Sequence, residues 1–96
     1  MNQQSSEEQW QELKLKIEES QQFPSIYMFK FILNSDNQKI AQIEAIFNNT
    51  NEHNISIRES SRGRYVSITI KQMVENADYI ITIYKKVSEI PGVMLM

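Results

Sequence analysis

An α+β domain, with four antiparallel strands and two helices on one face and a further helix in front, is the fold this sequence predicts. Three observations carry it. Residues 65–70 alternate Val66, Ile68 and Ile70 with Tyr65, Ser67 and Thr69, a period of two that makes a strand with one dry face. The polar run Ser60-Ser61-Arg62-Gly63-Arg64 before it reads as a turn back to an alternating stretch around Ile55 and Ile57, so a hairpin sits mid-chain. On either side of that hairpin lies one further strand and one amphipathic helix, giving the order βαββαβ.

The elements follow in chain order. Ser5 or Ser6 caps a first helix with Glu8 or Gln9 in capping-box position, and Trp10, Leu13 and Ile17 recur at helical spacing. Glu12 and Lys16 are spaced for an i,i+4 pair. Pro24 disfavours helix at Phe23 and closes this segment. Residues 1–22 are thus a helical extension and residues 23–96 the main domain.

Residues 26–33 form a strand with Tyr27, Phe29, Phe31 and Leu33 on one face and Ile26, Met28, Lys30 and Ile32 on the other. Two largely apolar faces mark a central strand. Asn34-Ser35-Asp36-Asn37 is a turn, with Ser35 as cap of a helix over 36–48 that aligns Ile40, Ile43, Ile46 and Phe47. Asparagines 48, 49 and 51 end it. Strands over 54–60 and 64–72 make the hairpin, with Ile55 and Ile57 inward. A helix over 76–89 aligns Ile80, Ile83, Tyr84 and Val87, with Lys85 and Lys86 where the macrodipole favours cations. Pro91-Gly92 stops it, and residues 93–96 are a short last strand.

This order is the split-βαβ, ferredoxin-like arrangement, and right-handed crossovers place both inner helices on one face of the sheet. The opposite face shows Ile26, Met28, Lys30, Ile32, Ser56, Arg58, Tyr65, Ser67, Thr69, Met94 and Met96. Its apolar half needs a cover. The first helix, bearing Trp10, is expected to fold back over this face, on its own sheet or a neighbour's.

Composition narrows function by exclusion. Ninety-six residues make one domain able to bury a core without staples. With no cysteine and one histidine, His53, in a polar loop, no transition-metal site or thiol chemistry is expected. The first eight residues have neither a basic nor an apolar signal region, and no apolar run approaches a membrane span, so a cytoplasmic protein is expected. The net charge of -2 argues against nucleic acid, which needs a basic face. The acids concentrate in Glu7, Glu8, Glu12, Glu18 and Glu19, leaving the main domain nearly neutral.

No nucleophile–base pairing, phosphate-cradling glycine loop or nucleophile elbow occurs, so no catalytic residue and no cofactor are assigned. Arg62-Gly63-Arg64-Tyr65-Val66 begins like an RNA-binding strand motif but then places Arg64 and Val66 where aromatics belong.

Phe23-Pro24 shortly before the first strand, Lys30 within it, and Ser60-Ser61-Arg62-Gly63-Arg64-Tyr65 followed by Ser67 and Ile68 resemble the YbeD-like domain, a small bacterial family of unknown function. The resemblance spans about residues 22–96. It implies an ACT-like fold, that of regulatory domains that bind small ligands at subunit interfaces. ACT domains typically carry a glycine in the loop after the first strand; Asn34-Ser35-Asp36-Asn37 has none, which argues against amino-acid binding there.

Two candidate surfaces result. Arg58, Ser60, Ser61, Arg62, Gly63 and Arg64 could hold a small anion, with backbone N–H groups around Gly63 forming a nest; the same residues also serve as an ordinary solvated turn. Trp10, Leu13, Ile17, Met28, Lys30 and Tyr65 form a partner or packing surface. The expected role is a non-enzymatic regulatory or adaptor domain acting through self-association or a protein partner. The alternative is a sensor of a small anionic metabolite.

Overall fold

The computed structural model describes residues 6–47 and 53–96. The order is α1 (Ser6–Ser20), β1 (Ser25–Asn34), α2 (Asn37–Ile46), β2 (His53–Glu59), β3 (Tyr65–Val74), α3 (Ala77–Ser88) and β4 (Met94–Leu95). The four strands form one antiparallel sheet in the order β2-β3-β1-β4, the ferredoxin-like arrangement. β1 and β3 are central and pair along their whole length, from Ser25–Val74 to Asn34–Tyr65. The proposed cap at Ser5 or Ser6, the asparagine-rich end of α2 and the His53 side chain lie outside the described residues.

Asp36, rather than Ser35, caps α2: its carboxylate accepts from the N–H groups of Gln38 at 2.9 Å and Lys39 at 3.3 Å. Asp36 is extended, as an N-cap must be, which aims its side chain at the free donors of the first turn. Asn76 does the same for α3, accepting from the Tyr79 N–H at 2.9 Å. The bond between Phe23 and Pro24, ahead of β1, is cis.

The core lies between the sheet and the two inner helices. Phe29, Phe31 and Leu33 from β1 meet Ile43 and Phe47 of the α2 region, Val66, Ile68 and Ile70 of β3, and Ile80, Ile83 and Val87 of α3. Phe29 is at its centre, with ring centroids 5.2 Å from Phe47 and 5.7 Å from Tyr84, both edge-on. Tyr27 and Tyr84 share a hydroxyl hydrogen bond of 2.9 Å. β3 runs two residues past its expected end because Gln72, at a dry-face position, is buried and paired with the Tyr79 hydroxyl at 3.0 Å. Ile57 corrects an expectation of burial. Its register with Ile68 puts it on the helical side, but β2 is the sheet edge and Ile57 stays exposed.

The larger correction concerns α1. It does not cover the open sheet but packs on α3, on the helical side. Ile17 is buried in the main core, with Trp10 and Leu13 half-buried against it. The cause is the width of α3's apolar surface. Besides Ile80, Ile83 and Val87, α3 buries Ala77 and Ile81, and helical spacing sets these toward the flank that carries Asp78 and Lys85. Lys14 Nζ lies 2.9 Å from Asp78 Oδ1 and Lys85 Nζ 3.2 Å from Glu7 Oε1. Seven residues separate the two contacts on each helix, in opposite senses, so α1 and α3 run antiparallel. Such exposed pairs set register more than they add stability. The burial of Ile17 holds the helix down.

Candidate functional site

With α1 on the far side, the open face of the sheet is bare among the described residues. The register assembles it in rows. Arg58, Ser67, Ile32 and Met94 lie across the sheet in one row, and Ser56, Thr69 and Lys30 in the next. The Met96 N–H donates to the Lys30 carbonyl at 2.9 Å and continues that second row onto the edge. Lys71 beside Met28, and Met73 beside Ile26, complete the face at one end; Tyr65 beside Asn34 closes the other. Met28, Met73, Met94 and Met96 are 52–60% exposed, and Ile26 and Tyr65 are as open. Isolated exposed apolar residues are ordinary, but here they share one face.

The charge on this face has one sign. Lys30, Arg58 and Lys71 project from it, and no strand residue that alternation assigns to it is acidic. None of the three has an ion-pair partner among the described residues.

The hairpin residues divide. Arg58, Ser60 and Tyr65, with Ile32, Glu59, Val66 and Ser67, line a shallow depression of about 250 Å³. Ser61, Arg62, Gly63 and Arg64 do not line it. The turn uses its own donors: the Gly63 N–H donates to the Ser60 carbonyl at 2.9 Å, and the Tyr65 N–H donates to Ser60 Oγ at 3.2 Å. Gly63 has φ +70°, which accounts for glycine there. Arg62 and Arg64 point into solvent.

Of the proposed partner surface, Met28, Lys30 and Tyr65 are on the open face, whereas Trp10, Leu13 and Ile17 face α3 and the core. The sequence reading missed Lys71 and Met73. The signal was there, in the continued alternation Ile70-Lys71-Gln72-Met73-Val74, but polar Gln72 at an inward position hid it. Among the described residues no cluster of three or more histidine, cysteine, aspartate or glutamate residues could hold a metal ion. No helix among them is long and apolar enough to cross a membrane.

Sheet and crossovers together define a ferredoxin-like fold with one bare face among the described residues. Solved structures agree on the fold. Protein HP0495 from H. pylori superposes with a TM-score of 0.66 at 12% identity, over 80% of this chain and 86% of that one. The ACT domain from GTP pyrophosphokinase of Chlorobium tepidum gives 0.57 at 18% identity, over 72% of this chain and 90% of that one. The chain itself belongs to the family DUF493, described as a protein of unknown function, whose model matches residues 18–96. It is similar to the UPF0250 protein of Shewanella oneidensis, 28% identical over 84% of this chain and 94% of that protein. A UPF0250 protein of Shewanella sp. strain ANA-3 matches equally, at 28% over the same shares. The YbeD-like resemblance pointed to this family.

Proposed function

We propose that this chain is a non-enzymatic regulatory or adaptor domain that acts through protein contacts made by the open face of its sheet. One observation carries the reading: six large hydrophobic side chains, Ile26, Met28, Tyr65, Met73, Met94 and Met96, stand exposed on one face. The helix expected to cover them is docked on α3 instead. Apolar surface gathered in this way marks an interaction site. The test is a photo-crosslinking residue in place of Met28, with the exposed Gln42 on α2 as the control position, activated in the native cell. A discrete protein adduct from position 28 and none from position 42 is expected. Equal or absent adducts at both positions remove the open face as the acting surface.

A second reading is the alternative of a small-anion sensor, placed at Arg58 and Ser60, which border the depression beside the hairpin although its exposed surface is almost wholly apolar. Phosphate should then raise the melting temperature beyond matched sodium chloride, and Arg58→Ala should abolish the rise. Equal responses of wild type and variant leave Ser60–Arg64 as a turn alone.

A further inference from the structure

The open face has two properties that together select its partner: methionine-rich apolar surface and, among the described residues, cations without acidic side chains. We infer that it docks an acidic amphipathic helix of another protein, an inference that rests on the reading of this face as an interaction surface.

The apolar band has the dimensions of a helix seat. Along β1, Ile26, Met28 and Ile32 share the face, spanning six residue steps or about 20 Å. Met73 flanks this line from β3, and Met94 and Met96 from β4. About four turns of helix cover such a length. Four of the chain's five methionines are here. Methionine is unbranched and polarisable, and it moulds to varied apolar stripes.

Charge fixes the sign of the partner. Lys30 interrupts the band on β1, Lys71 borders it on β3 and Arg58 lies farther out on β2. A helix whose apolar stripe is edged by carboxylates meets all three. A second copy of this chain does not. A two-fold face-to-face dimer sets like surfaces against each other and brings these cations together with no acidic side chain on either face among the described residues. Nor does α1 of a second copy close such an assembly. Its acidic outer surface lies on the side opposite the open face, so the contact would propagate as a chain of subunits. Single-stranded RNA fits poorly, since Tyr65 is the one aromatic on the face among the described residues and stands at its far end from Met28.

The test uses the full chain labelled at its methionine methyls. Two peptides of roughly 18 residues carry leucine at helical spacing, one edged by glutamate and one by lysine. The glutamate peptide should shift Met28, Met73, Met94 and Met96, and the lysine peptide should not. Lys30→Glu with Lys71→Glu should weaken the glutamate peptide about tenfold and favour the lysine peptide. Both sites are exposed, and Lys30→Ser with Lys71→Ser is the milder variant should the reversal fail to fold. Equal binding of both peptides, or no methyl shifts, overturns the inference. So do oligouridine shifting these methyls where the glutamate peptide does not, and methyl shifts that depend on protein concentration alone. The crosslink at position 28 separates the two levels: an adduct there without peptide discrimination keeps the interaction face and removes the acidic helix.

Discussion

Among the described residues, Tyr84 is the titratable side chain most changed by its surroundings. Burial pushes its hydroxyl well above the ordinary tyrosine value of 10.0, and the hydrogen bond with Tyr27 adds to the shift. A group that holds its proton more tightly when folded contributes stability that is complete below the unfolded value and lost as pH rises toward the folded one. The melting temperature should therefore decline as pH is raised above about 10. Tyr84→Phe should flatten that decline, at a cost near neutral pH of about 1 kcal/mol for the lost hydrogen bond. Lys14 acts in the same direction, since its hydrogen bond and charge attraction to Asp78 hold the ammonium above its usual value; Asp78→Asn removes that share. An unchanged alkaline slope in Tyr84→Phe would take Tyr84 out of the account. Phe29, wholly buried between Phe47 and Tyr84, is the packing counterpart. Phe29→Ala should cost about 3–5 kcal/mol in denaturant melts.

Among the elements, α1 and the hairpin turn show how local geometry and packing divide the work. α1 lacks a wide apolar stripe, and its hold on α3 depends on Ile17. Ile17→Ala should cost about 2 kcal/mol or more. Acrylamide quenching of Trp10, the single tryptophan, should rise in that variant, while amide exchange of β1 and β3 stays slow. In the wild type Trp10 should be quenched less readily than free tryptophan, and a peptide bound on the open sheet should leave it unchanged. The hairpin turn is set by backbone conformation instead. A methyl group at Gly63 would meet nothing within 4 Å, so Gly63→Ala should cost only the left-handed strain, roughly 1–2 kcal/mol.

For the whole molecule, the helices lie on one side and a bare sheet on the other. Three open-face cations with no partnering acid among the described residues, set around exposed methionines, oppose face-to-face self-association. Analytical ultracentrifugation at low salt should show no dimer sealed through this face, and Met28→Asp should leave the sedimentation coefficient unchanged. A dimer that Met28→Asp dissociates would establish the face as a homotypic interface.

Strands, inner helices and their order are legible in the sequence because they rest on periodicities that a chain displays locally. Val66, Ile68 and Ile70 at period two, and Ile80, Ile83 and Val87 at helical spacing, need no partner to be read. The open face is legible for the same reason, since alternation that puts Phe29 and Phe31 inward must put Met28 and Lys30 outward. Where α1 docks is of another kind. Trp10, Leu13 and Ile17 say that the helix has an apolar side, but two apolar surfaces could receive it, the open sheet and the flank of α3 around Ile81. The choice turns on buried area and on the Lys14–Asp78 and Glu7–Lys85 contacts, between residues more than sixty positions apart. Likewise Gln72 reads as the end of a strand until Tyr79 folds over it and satisfies its amide. The sequence by itself determined the layers and the chemistry of each face. The tertiary structure alone decided which apolar surface was left uncovered, because that depends on competition between surfaces rather than on any local pattern.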